Sequence, residues 1–121
     1  MAGSATIAAW MEEIKKETDP EALGMILMHN GIVRGTSKQG EPVTKMNLSY
    51  DADKLGRLVT EQKEKEGIVD IRVWINSGEL QIGDDIMLLL VAGRFRTDVL
   101  PVFEFALSTI KKEIVHEEEI P

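Results

Sequence analysis

The chain predicts an α+β domain with a mixed or antiparallel sheet. Three observations point there: apolar runs of strand length, short glycine-bearing turns between several of them, and amphipathic helical segments at both ends and in the middle. With 121 residues and 43% hydrophobic content, residues 1–121 are expected to form one domain with a real core.

From Ser4 to about Glu17, Ile7, Trp10, Met11 and Ile14 recur at helical spacing, with Ser4 as a cap and Thr18-Asp19-Pro20 as the stop. Gly24 to Val33 reads as a buried strand, and Thr36 to Pro42 as a polar, flexible loop. Val43 to Tyr50 alternates imperfectly, enough for a second strand. Asp51 caps a helix with Leu55, Leu58 and Val59 on one face, running to about Glu66, and Gly67 ends it. Ile68 to Ile75 alternates best of all. Asn76-Ser77-Gly78 and Gly83-Asp84 then turn the chain, and Ile86 to Ala92 has the composition of a fully buried strand. Thr97 is expected to cap a last helix, with Val99, Phe103, Ala106 and Ile110 on one face and Pro101 near its first turn. The expected order is α-β-β-α-β-(β)-β-α.

Composition excludes several function classes. The net charge is −7, from 21 acidic and 14 basic residues, so no basic footprint for nucleic acid is present. Glu12-Glu13 with Glu17, and Glu117-Glu118-Glu119, read as solvated charge. The longest apolar run, Ile86 to Ala92, is seven residues, against roughly 20 needed to span a bilayer. Met1-Ala2-Gly3-Ser4 does not begin a secretory signal, so a cytoplasmic protein is expected. Zero cysteines exclude disulfides, cysteine-ligated zinc and a thiol nucleophile in this chain. His29 and His116 have no spaced partners for a metal, so neither metal nor cofactor is expected. The Gly78–Asp84 segment is a hairpin connection rather than a phosphate loop, and no Gly-x-Ser-x-Gly elbow exists.

What remains is cationic. Of five arginines, Arg34, Arg94 and Arg96 closely follow strands, and Arg96 also precedes a helix start, where amide N–H groups favour an anion. These three are candidates for binding an anionic substrate; they could equally be surface arginines at strand ends. Lys111 and Lys112 close the last helix. They are candidate catalytic cations, or cations placed favourably at a helix C-terminus. His29 sits in a buried-looking strand as a core polar residue, and Trp10 and Trp74 read as core or interface anchors.

The order and spacing of these segments, from about Gly24 to Glu119, resembles the large, catalytic subunit of molybdopterin synthase. The matching residues are Gly31-Ile32-Val33-Arg34, the loop Gly35 to Pro42, Leu48-Ser49-Tyr50-Asp51, the Gly78-x-Leu80-x-x-Gly83-Asp84 turn, Phe95-Arg96 and Lys111. The resemblance implies an α/β-hammerhead-like fold and a sulfurtransferase of molybdenum cofactor biosynthesis. Such an enzyme takes sulfur from a ubiquitin-like small subunit, whose C-terminal Gly-Gly ends in a thiocarboxylate, and gives it to cyclic pyranopterin monophosphate. It also implies a homodimer with one small subunit at each end, a heterotetramer. By the same resemblance Arg34 and Arg96 hold the substrate phosphate or a developing negative charge, Lys38 adds to that grip, and Lys111 lies beside the thiocarboxylate, all in one cleft.

The chain departs from the family pattern at four places. Phe95 stands where a histidine is expected, and His29 where an aromatic is expected in the first strand. Glu113 to Glu118 replaces a Pro-x-Trp-Lys-like segment, so its tryptophan and second lysine are absent. A longer C-terminal arm with a further basic residue is also missing. Lys112 and His116 are the candidate substitutes. Two other readings follow: a homologue that binds the small subunit or a pterin without turnover, and an unrelated α+β oligomer binding a small ligand.

Overall fold

A computed structural model describes residues 3–121, with side chains from residue 6 onward. Met1 and Ala2, at the start of the segment read for a leader, and the Ser4 side chain read as a cap lie outside the described residues. The order is α1 (Gly3–Glu17), β1 (Met25–Ile32), β2 (Lys45–Tyr50), α2 (Ala52–Lys63), β3 (Ile68–Ile75), β4 (Gly78–Gln81), β5 (Asp85–Gly93), α3 (Arg96–Thr109), a π-helical turn (Ile110–Ile114) and β6 (Val115–Ile120). The fold is α+β, with two three-stranded sheets ordered β1-β5-β3 and β4-β2-β6. Every strand pair is antiparallel, which settles the mixed-or-antiparallel alternative.

β5 is the spine. Met87 to Ala92 are all 0% exposed, because both faces of the strand are covered. On one face Leu90 and Ala92 pack with Ile14 of α1, joined by Trp10, Met11, Ile26 and Met28. On the other, Met87, Leu89 and Val91 meet Val99, Val102, Ala106 and Ile110 of the last helix and turn, with Met46, Leu48 and Leu80 of the second sheet. A continuous apolar run, rather than an alternating one, is what such a doubly covered strand requires.

α2 starts as expected. The Asp51 carboxylate accepts a hydrogen bond from the Lys54 amide at 3.1 Å, which satisfies one of the free amides of the first turn. The last helix starts differently: Phe95 is its N-cap, without a side-chain bond, and Thr97 lies inside the first turn. The segment expected to be a flexible loop is closed on itself. Thr36 bridges Pro42, the Ser37 amide donates to Glu41 O at 2.9 Å, and the Ser37 hydroxyl accepts from the Gln39 and Glu41 amides.

The largest departure is β6. The acidic tail read as solvated charge pairs along β2 from Lys45↔Ile120 to Tyr50↔Val115, placing Leu48 opposite Glu117. Consecutive glutamates have low strand propensity, so the pairing comes from β2's need for a second neighbour. At the far end of β5 three glycines make close backbone contact. The Gly24 amide donates to Gly93 O and the Arg94 amide to Gly67 O, both at 2.8 Å. A Cβ on Gly93 would lie 2.5 Å from Gly67 O and 2.7 Å from Val99 Cγ2, so only glycine fits.

Candidate functional site

The cations singled out above fall into separate groups, and β5 decides how. β1 runs antiparallel to it, from Met25↔Gly93 to Ile32↔Asp85. Arg34 therefore lies just past one end of this ladder, while Arg94 and Arg96 lie just past the other. The ends are about 25 Å apart at ~3.4 Å per residue. Along α3, Arg96 to Lys111 spans about 20 Å at ~1.5 Å per residue. Within one chain, Arg34, Arg96 and Lys111 thus do not share a cleft, contrary to the expectation. The spacing along the chain concealed this, because reversal of direction at each strand and the length of α3 separate residues that read as one motif.

At the Arg34 end, the guanidinium Nε donates to Thr36 O at 2.9 Å, which fixes its stem to the closed loop. Arg34 is otherwise exposed, and Lys38 is exposed on the same loop. At the other end, Arg94 is engaged structurally: its Nε donates to Asp98 at 3.0 Å and it pairs with Glu66 at 3.4 Å. The hydrogen bond to Asp98 is the main cause raising its pKa above the ordinary value. Its guanidinium also lies 4.8 Å from the centroid of Phe95, an aromatic that is 59% exposed. Arg96 is exposed at the start of α3.

Lys111 has the most distinctive surroundings. It lies in the π-helical turn, where the Val115 amide reaches back to Ile110 O. Single π turns within helices are uncommon and concentrate at functional sites. Its ammonium is 3.5 Å from Glu117 Oε2, an ion pair with the lysine 43% and the glutamate 27% exposed. Nearby, on the α3-facing side of β1, is His29. Burial first, and the charge of Lys111 second, push its imidazole below the ordinary value, so the ring is favoured neutral.

Two buried side-chain atoms among the described residues make no hydrogen bond, and they are His29 Nε2 and Glu117 Oε2. An unsatisfied buried polar atom costs about 1–3 kcal/mol. Glu117 Oε2 is the oxygen that meets the Lys111 ammonium at 3.5 Å, which leaves His29 Nε2 as the one without any partner. His29 was visible in the sequence only as a core polar residue. Glu117 was hidden in the acidic tail; the signal for it is the strand period, which puts it on the same face as Val115.

Lys112 and His116 do not join this group. Lys112 is exposed and has no ion pair among the described residues. His116 is on the face of β6 opposite Glu117 and lines a shallow groove with Asn47, Ser49 and Glu79. Among the described residues no group of three histidines or carboxylates could hold a metal ion. No described helix is long and apolar enough to cross a membrane.

Comparison with known proteins gives a consistent result. The family described as MoaE protein matches residues 5–113. An uncharacterized protein of Methanocaldococcus jannaschii is 33% identical over 93 residues, covering 74% of this chain and 78% of that protein. Among solved structures, molybdopterin synthase from Staphylococcus aureus has a TM-score of 0.73 at 25% identity, over 90% of this chain and 82% of the other. A complex of subunits 1 and 2 of the molybdopterin-converting factor from Helicobacter pylori reaches 0.77 at 17% identity, over 98% and 78%. At that identity the likeness is one of fold.

Proposed function

The chain belongs to the MoaE protein family, whose match and structural neighbours support a role in molybdopterin biosynthesis, and on that premise we propose that it is the catalytic subunit of a molybdopterin synthase. It takes sulfur from the C-terminal Gly-Gly thiocarboxylate of a ubiquitin-like small subunit and passes it, in two rounds, to cyclic pyranopterin monophosphate. The dithiolene of molybdopterin results.

The observation that carries this reading is the seat of Lys111, a half-exposed ammonium in a π turn paired with the partly buried carboxylate of Glu117. A thiocarboxylate that gives up its sulfur passes through a tetrahedral stage with charge on the acyl oxygen. A fixed ammonium there stabilises that charge more than it stabilises the starting carbonyl. With zero cysteines, the chain has no thiol to hold the sulfur itself, so a partner must deliver it. The Helicobacter pylori neighbour of the same fold is a two-subunit complex, and a small-subunit partner of that kind fits here.

Arg34 and Lys38 supply one anion-binding arm and Arg96 another, for the pterin phosphate. Because Arg96 is distant from Lys111 in its own chain, we place the two together across a homodimer, Arg96 of one copy meeting Lys111 of the other. One small subunit at each end then completes a heterotetramer. Arg94, already paired with Asp98 and Glu66, is left as a structural residue of that corner.

The test is to mix the purified chain with a thiocarboxylated small subunit and cyclic pyranopterin monophosphate and to follow product by mass spectrometry. Lys111→Ala should lower turnover by about 10²–10³, the usual cost of losing one such stabilising group. A rate equal to wild type would mean that a different cation does the work. Partner binding without any product would instead favour the second reading, a homologue that docks its partner without turnover. Phe95 in place of a histidine, and the second lysine missing from the Glu113–Glu118 segment, are what favour it.

A further inference from the structure

Two ionisable side chains from different sheets bear on Lys111: Glu117 pairs with its ammonium, and His29, whose Nε2 has no hydrogen-bond partner, feels its charge. His29 comes from β1 of the first sheet and Glu117 from β6 of the second. Met87, Leu89, Ala106 and Ile110 of β5, α3 and the π turn belong to one apolar core cluster. The charged groups assigned to this spot are therefore Lys111 from the π turn and Glu117 from β6. His29 stands where the family pattern leads one to expect an aromatic residue, and Glu117 lies in the segment that replaces the Pro-x-Trp-Lys-like one.

Resting on the sulfur-transfer reading above, we infer that His29 and Glu117 are positioning residues for Lys111, together replacing the absent second lysine and tryptophan. An ammonium has three donors. Glu117 Oε2, at 3.5 Å, takes up one direction and limits rotation of the lysine stem. His29, with an Nε2 that has no hydrogen-bond partner, lies on the β1 side, where its neutral ring and the lysine's charge influence each other. Anchored by Glu117, the ammonium keeps donors for the acyl oxygen of the incoming tail. Lys111 lies in the π turn, from which its ammonium meets Glu117 of β6.

The experiment compares wild type with Glu117→Gln, His29→Phe and their double variant, reading single-turnover sulfur transfer at saturating substrate alongside small-subunit affinity and thermal stability. Each single variant should slow the transfer step by about tenfold, the size expected of one charge-assisted contact, with partner affinity unchanged. The double variant should lose less than the product of the two, since both act through one lysine. Glu117→Asp, which keeps the charge, should recover part of the rate. Transfer at the wild-type rate in both single variants, or losses that track thermal stability alone, would overturn the inference. Should wild type form no product, the sulfur-transfer reading fails, yet the positioning still has a readout. The protein has two histidines, so ring titration by NMR resolves His29 from His116. Lys111→Met should move the His29 midpoint up, because the lysine's charge lowers it, and Glu117→Gln, which frees the ammonium from its pair, should also shift it if the three groups are coupled. A midpoint unmoved by either substitution would show that the three groups are not coupled.

Discussion

Arg96→Ala in one copy of the chain and Lys111→Ala in another should restore each other. Arg96 opens α3 and Lys111 lies beyond its end, about 20 Å away at ~1.5 Å per residue, so no rotamer brings them to one ligand in the same chain. If a homodimer joins them, each two-fold-related site takes Lys111 from one copy and Arg96 from the other. A mixed dimer then has one doubly defective site and one intact site. Random pairing makes about half of all dimers mixed, so an equimolar mixture should recover about a quarter of wild-type turnover, although both parents are inactive. The assay is product formation after co-expression with two affinity tags, where purification through both tags raises the expected recovery to about half. A doubly tagged dimer as inactive as its parents would refute the shared site. It would leave Arg96 either serving a separate surface or serving none.

Two further outcomes follow from the packing. Gly93→Ala puts a Cβ at 2.5 Å from Gly67 O and 2.7 Å from Val99 Cγ2, and should cost about 1–3 kcal/mol in thermal or urea unfolding; stability equal to wild type would mean the backbones there separate freely. His29 has a folded-state pKa below the ordinary 6.5, so the unfolded chain binds its proton first as pH falls. The stability from neutral His29 is full above 6.5 and is lost as pH drops through the folded-state value. His29→Phe should flatten that decline in melting temperature, and an unchanged slope would assign it to other groups.

Much of the architecture was legible because the strongest patterns are those of the most buried elements. The apolar run at Ile86–Ala92 became the spine strand, and Ile68–Ile75 matched β3 to the residue. Asp51 capped its helix as its side chain suggested. β6 was illegible because its pairing depends on β2, a partner distant in sequence, and outweighs the low propensity of three glutamates. Thr97 failed as a cap because the chain leaves β5 through the glycine corner, and Phe95 takes the boundary position. The cations were visible as residue types, but their grouping was not. Which end of a ladder a residue occupies depends on strand direction, and single-chain spacing does not encode it.

The departures from the family pattern bear on whether chemistry has been retained. Two of them, His29 and Glu117, are separated along most of the chain yet fold to the same lysine. A chain that only docked its partner would gain from covering this spot with apolar side chains, since each buried unsatisfied atom costs about 1–3 kcal/mol. Instead it has an imidazole favoured neutral, with an unpartnered nitrogen, and a carboxylate paired with an ammonium that remains half exposed. Polar groups left unsatisfied at a solvent-reachable cation gain most when a ligand completes their bonds. That pattern fits the proposal that Lys111 keeps a role in turnover.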